Sequence, residues 1–190
     1  MSALTILVIR HAEKPGEDWP GPGLTENGEP DTESLVIRGW QRAGAWAALF
    51  GPGLGGSDFP VPQAIYAAEA GAPDRLSHGP SRRPVETVAA LAARLGLTPD
   101  ATFAKDQEGR LAARLLTLSG VVLVAWEHKA IIEAILPAIP VSDGTPPTRW
   151  PDDRFDVVLR FDRPAGATKF AFRELHPKLL SGDSNTPLGA

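Results

Sequence analysis

The chain has 190 residues, is 43% hydrophobic and carries a formal charge of -4 from 19 basic and 23 acidic side chains. That length suits one domain with a substantial core, and the composition is globular rather than disordered. Without blocks of like charge there is no basic footprint for nucleic acid; without cysteine there is no disulfide, iron–sulfur cluster or thiolate zinc site. No apolar run reaches the roughly 20 residues that span a bilayer. The apolar start lacks a basic n-region and a small-residue cleavage site, so a cytoplasmic protein is expected, with neither nucleic acid nor membrane as partner.

Ala3-Leu4-Thr5-Ile6-Leu7-Val8 reads as a buried strand and runs into Ile9-Arg10-His11-Ala12-Glu13-Lys14-Pro15. A Gly/Pro/acidic loop over 15–33 follows, then a predicted helix over 34–50 with Trp40, Ala43, Ala47 and Phe50 at helical spacing. After a loop over 51–62, Ala64-Ile65-Tyr66-Ala67 is a second strand, followed by a polar loop through Pro80. The helix over 82–95 is the clearest, with Ser81 as cap, Pro84 in its first turn and Gly96 as its stop. A short strand over 102–104 and a helix over 107–118 come next. Val121 to Trp126 is the strongest strand, and 130–139 reads as helix.

Segments 155–161 and 169–175 alternate around Pro164-Ala165-Gly166, a C-terminal hairpin. Strand–helix alternation predicts an α/β fold: a three-layer α/β/α sandwich with a largely parallel sheet and helices on both faces. Residues 1–180 are expected to form one domain, and 181–190 a frayed tail.

Three polar sites fall at strand ends or a helix start: Arg10-His11, Ser81-Arg82-Arg83-Pro84-Val85-Glu86-Thr87, and Trp126-Glu127-His128. In a parallel sheet all three converge on the carboxyl edge, where open α/β sheets bind ligands. Together they supply cations, two imidazoles and a helix N-terminus, which suits phosphate with a nucleophile beside it.

Arg10-His11-Ala12 after the first strand, Arg83-Pro84-Val85-Glu86-Thr87 opening a helix, and His128 after a late apolar strand resemble the histidine phosphatase superfamily, the phosphoglycerate-mutase-like fold. Pro84 replaces the Ala of the family's Arg-Ala-x-x-Thr. Leu35-Val36-Ile37-Arg38-Gly39 matches its Leu-Thr-x-x-Gly without the Thr.

The resemblance implies a metal-independent phosphatase without cofactor. His11 would attack phosphorus and carry it as phosphohistidine, Arg10 and Arg83 would clamp the phosphoryl oxygens, and His128 would bind the same group as a cation. The general acid stays open between Glu108, which leads, and Asp106, Glu69 and Glu127; Lys129 stands where the acid-phosphatase branch has Asp. Glu13 is assigned to the pocket wall.

A metal held by His11, His128 and a carboxylate is disfavoured, since adjacent arginines repel it. His78 and His176 read as surface residues and Arg82 as a solvated arginine. Trp40 and Trp46 read as core, and Trp19 and Trp150 as lining a substrate opening.

The expected substrate is a phosphorylated small molecule or phosphoprotein, with selectivity set by loops 15–33, 51–62 and 142–150. The rival reading is a phosphate- or phosphopeptide-binding module without turnover. A mutase is disfavoured by the chain's shortness, and no residue pattern sets the oligomeric state.

Overall fold

A computed structural model of the chain describes residues 1–16, 19–53, 55–68 and 81–189. β1 (Leu4–Arg10) is apolar on both faces because both are covered. Leu7 and Ile9 pack with Trp46 and Phe50 of α1 (Ile37–Phe50) and with Val88 and Leu91 of α2 (Arg83–Leu95). Leu4, Ile6 and Val8 share the other core with Leu111 and Leu115 of α3 (Glu108–Leu116) and with Ile131 and Ile135. Those two faces make the three layers.

The remaining strands are β2 (Ala64–Ala67), β3 (Gly120–Trp126), β4 (Val141–Asp143), β5 (Val158–Arg163) and β6 (Phe170–Leu175), in the spatial order β2-β3-β1-β5-β6-β4. β3 runs parallel to β1 and β2, and β4 parallel to β6. β5 alone runs antiparallel to its neighbours β1 and β6, so the sheet is largely parallel, as expected, with one reversed strand. The reason is the tight hairpin through Gly166 (φ 82°): it returns the chain directly, whereas a parallel neighbour needs a long crossover. Val158 pairs with both Ile9 and Leu175, so the chain entering β5 and the chain leaving β6 lie at the edge where β1 and β3 end.

Other differences are local. No strand forms over 102–104; Asp100 instead makes a single bridge with Tyr66. The last helix starts earlier than expected as α4 (His128–Ala130), continues as a π-helical turn (Ile131–Ile135) and ends in a 3-10 turn (Leu136–Ala138), where Pro137 removes a donor. The tail is not frayed. Leu188 is buried in the core with its amide on Glu174 Oε1 (2.8 Å), and Arg154 Nη1 donates to Thr186 O (2.6 Å). Its polar composition suggested solvent, yet its partners come from distant segments. No described helix is long and apolar enough to cross a membrane.

Helix α1 starts at Ile37 rather than near Ser34, with Val36 as its N-cap and no side-chain hydrogen bond to its first amides. The Thr that the family motif carries here would occupy a capping position. Two residues into the helix, Gly39 lets the backbone of Glu13 approach: a Cβ there would stand 2.5 Å from Glu13 O. Gly39→Ala is therefore expected to push the loop after β1 away and cost about 1–3 kcal/mol, read as a lower midpoint in urea unfolding.

Candidate active site

The parallel register sets Arg10 opposite Trp126, and the His11 amide donates to Trp126 O (2.9 Å), so the ends of β1 and β3 lie side by side. Thr87 joins the start of α2 to them: its Oγ1 accepts from the Ala12 amide (2.8 Å) and donates to Arg83 O (2.6 Å). The structure thus brings Arg10, His11, Arg83 and His128 to one edge of the sheet.

His11 is 4% exposed, with Nδ1 2.9 Å from Ala12 O. A carbonyl only accepts, so Nδ1 carries the proton and Nε2 keeps its lone pair. Burial pushes the pKa down to about 3, with the charges of Arg10, Arg83 and Lys14 adding to the effect against the Ala12 hydrogen bond. The ring is a neutral base at physiological pH.

That shift has a sign in stability. The unfolded chain takes a proton near pH 6.5 that the folded chain refuses until about pH 3, so stability is full above 6.5 and falls as pH drops through this window. The slope is about 1.4 kcal/mol per pH unit. Glu127 and Asp183, whose pKa values are lowered, add their own loss only below about pH 4.5. Urea unfolding between pH 6.5 and 4.5 should show a steep slope that flattens in His11→Asn.

Arg10 is fully buried. Its Nη1 donates to Pro151 O (3.1 Å), Asp152 O (2.8 Å) and Arg154 O (3.0 Å), and its guanidinium lies 3.9 Å over the Phe155 ring. Nε and Nη2 have no partner among the described residues, which leaves one edge of the fork for a ligand. Burial lowers its pKa to about 10, opposed first by Asp152, so it stays cationic. Arg83 Nη2 donates to Thr32 O (2.6 Å) and pairs with Glu33 Oε2 (3.3 Å), while its Nε has no partner among the described residues. Burial lowers the Arg83 pKa. The Arg82 side chain is 60% exposed beside Asp31, as a solvated arginine would be.

His128 is buried at the start of α4. Glu127 Oε1 lies 2.9 Å from Nδ1 without hydrogen-bond alignment, and Asp152 Oδ1 lies 2.7 Å from Nε2. Burial alone would raise the Glu127 pKa, but contact with His128 and the amides of Ala130 and Lys129 hold it down to about 2. Its Oε2 caps α4 by accepting from the Ala130 amide (2.9 Å). Glu108 is likewise engaged, Oε1 accepting from Trp126 Nε1 (2.9 Å) and the Asp106 amide (3.3 Å). Asp106, Glu108 and Glu127 line a depression of about 400 Å³ whose walls include none of Arg10, His11 or Arg83. Glu69 and His78 lie outside the described residues.

Glu13 is not in the pocket wall. Its fully buried carboxylate takes Arg42 Nε on both oxygens (3.0 Å each), and Arg42 also holds Asp183 of the tail (2.8 Å). His176 sits 3.3 Å from Glu174, its side chain only 15% exposed rather than on the open surface. Trp46 is core and Trp40 half-buried on Leu24 O. Trp150 is mostly buried, its indole on Arg154 O (2.9 Å), yet it lines a depression of about 230 Å³ with His128 and Asp152, and Trp19 lines the cleft.

That cleft, of about 300 Å³, is walled by Lys14, Trp19, Glu127, His128, Lys129, Asp152 and Phe155, and like the 400 Å³ depression its walls include none of Arg10, His11 or Arg83. A larger depression of about 750 Å³ adjoins it through Trp19 and Phe155. Sequence reasoning missed Asp152 and Phe155. The signal was there in Trp150-Pro151-Asp152-Asp153-Arg154-Phe155-Asp156, a charged run directly before an apolar strand, but the loop considered stopped at Trp150.

No protein-family model matches the chain, and neither does any curated protein sequence. Among solved structures it is similar to the native structure of mycobacterial glucosyl-3-phosphoglycerate phosphatase, with TM-score 0.52 and 16% identity over 92% of this chain and 98% of that one. Mycobacterial hydrolase 2 gives TM-score 0.45 and 14% identity over 92% and 90%. The likeness to the first is one of fold: this chain has the phosphoglycerate-mutase-like α/β fold that its Arg-His motif resembles.

Proposed function

We propose that the protein is a phosphatase that hydrolyses phosphomonoesters through a phosphohistidine on His11. The observation that carries this reading is the His11 tautomer: Nδ1 is committed to Ala12 O, and the free Nε2 stands in the field of Arg10 and Arg83. A fold shared with a glucosyl-3-phosphoglycerate phosphatase supports it.

Nε2 attacks phosphorus, the ester bond breaks and the alcohol leaves. Water then attacks the phosphohistidine and the electron pair returns to Nε2. The open edge of Arg10 and the free Nε of Arg83 face charge that grows on the phosphoryl oxygens. His128 binds the same group once Asp152 moves off its Nε2. The partner is then a phosphorylated small molecule or phosphoprotein, and the 750 Å³ depression beside the cleft has room for the part that is not phosphate.

The test is an acid quench of the purified protein with a labelled phosphomonoester, without added metal. An acid-labile, base-stable phosphoprotein formed by wild type with turnover is expected. Phosphate binding with neither label nor turnover across a broad substrate panel would turn the reading to the binding module.

A further inference from the structure

We propose that Asp152 is the proton donor to the leaving group, held in reserve on His128 until a phosphoryl group displaces it. This rests on the phosphatase reading above. Its backbone and its side chain meet two different members of the site: the carbonyl accepts from Arg10 Nη1 (2.8 Å), and carboxylate Oδ1 lies 2.7 Å from His128 Nε2. The backbone is therefore anchored on Arg10, while the side chain lines the cleft and is 79% exposed, with room to rotate.

The carboxylates considered from the sequence that lie within the described residues are placed less well. Glu127 lines the same cleft beside His128, but its Oε2 is held by capping α4, and Glu108 is bound to the Trp126 indole. Lys129 occupies the position next to the second histidine where the resembled branch has its acid. Asp152 reaches the same histidine from another segment, and does so because β5 is antiparallel and its entry lies at the catalytic edge.

The chemistry follows from the exchange of partners. In the resting site contact with His128 comes first among the causes that hold the Asp152 carboxyl below its usual range, with Arg10 and Lys129 adding to it. An arriving phosphoryl group takes over His128 and sets negative charge beside the released carboxylate, and both changes favour the protonated acid. The proton enters with the phosphomonoester monoanion or from solvent.

As His11 Nε2 bonds to phosphorus, the P–O bond breaks. Its electron pair passes to the ester oxygen, which takes the Asp152 proton and leaves as the alcohol. Asp152, now a carboxylate, accepts a proton from the water that attacks phosphohistidine. The N–P bond breaks, its pair returns to Nε2, and phosphate departs with the acid regenerated.

A donor to the leaving group is needed most when that group is a poor one. Phosphoenzyme formation should be compared in wild type, Asp152→Asn and Asp152→Glu, using 4-nitrophenyl phosphate and glycerol phosphate. For Asp152→Asn a loss of about 10²-fold or more is expected with glycerol phosphate and below about 10-fold with the nitrophenyl ester, with partial recovery in Asp152→Glu. Inorganic phosphate, titrated by 31P NMR, should bind Asp152→Asn at least as tightly as wild type, because its competitor for His128 is weakened.

Equal losses with both esters, no loss with either, or weaker phosphate binding would overturn the assignment. Faster turnover of both would also overturn it, showing Asp152 to be only a plug. A wild type that forms no phosphohistidine with either ester would instead defeat the phosphatase reading itself.

Discussion

His11→Ala should abolish the phosphoenzyme and lower turnover by at least about 10³-fold while leaving the fold in place. Among the described residues the ring's hydrogen bond is to the carbonyl of the next residue, so its removal leaves no distant partner there unpaired. Loss of the buried ring opens a cavity, offset only below pH 6.5, where the fold no longer holds an imidazole neutral against acid. The loop itself stays tied by the His11 amide on Trp126 O and the Ala12 amide on Thr87 Oγ1, neither of which involves the ring. Turnover and acid-quench labelling, beside circular dichroism of the same sample, check the result. Full activity in a folded His11→Ala protein would end the phosphohistidine mechanism.

Replacing Arg10 should damage both stability and phosphate binding. Arg10→Ala leaves three carbonyls without their donor in a fully buried place and uncovers the Phe155 face. A cost of about 3–5 kcal/mol is expected, the range for removing one member of a buried charged network. Arg10→Lys separates the two roles. One ammonium can meet the carbonyls or the phosphoryl oxygens, but it lacks the fork to do both. It should recover much of the stability and little of the phosphate affinity. Thermal unfolding and calorimetric phosphate titration of both variants give the answer. Phosphate affinity in Arg10→Lys equal to wild type would show that the open edge of Arg10 does not bind ligand.

The parts of the fold legible in the chain are those that local chemistry specifies. β1 and β3 are continuous branched runs because both their faces are buried, and α2 is bracketed by Pro84 and a left-handed Gly96. The placement of Arg10, His11, Arg83 and His128 at strand ends or a helix start follows from the same reading, since parallel strands share one carboxyl edge. The π turn after His128 and the short β4 had no such mark: both form through packing against elements far along the chain.

What the sequence determined by itself is the set of residues that the proposed chemistry uses and the edge of the sheet that hosts them. Arg10, His11, Arg83 and His128 sit on elements whose direction and ends are written in apolar runs and helix stops. Only the tertiary structure decided what else reaches that edge. β5 pairs antiparallel with β1, so the segment carrying Asp152 and Phe155 enters at the end that carries Arg10 and His11 rather than the opposite one. β6 then exits there, and the tail after it closes on Arg42 through Asp183. Strand direction depends on long-range pairing, and no local propensity in a charged loop or a polar tail records which way the neighbouring strand runs.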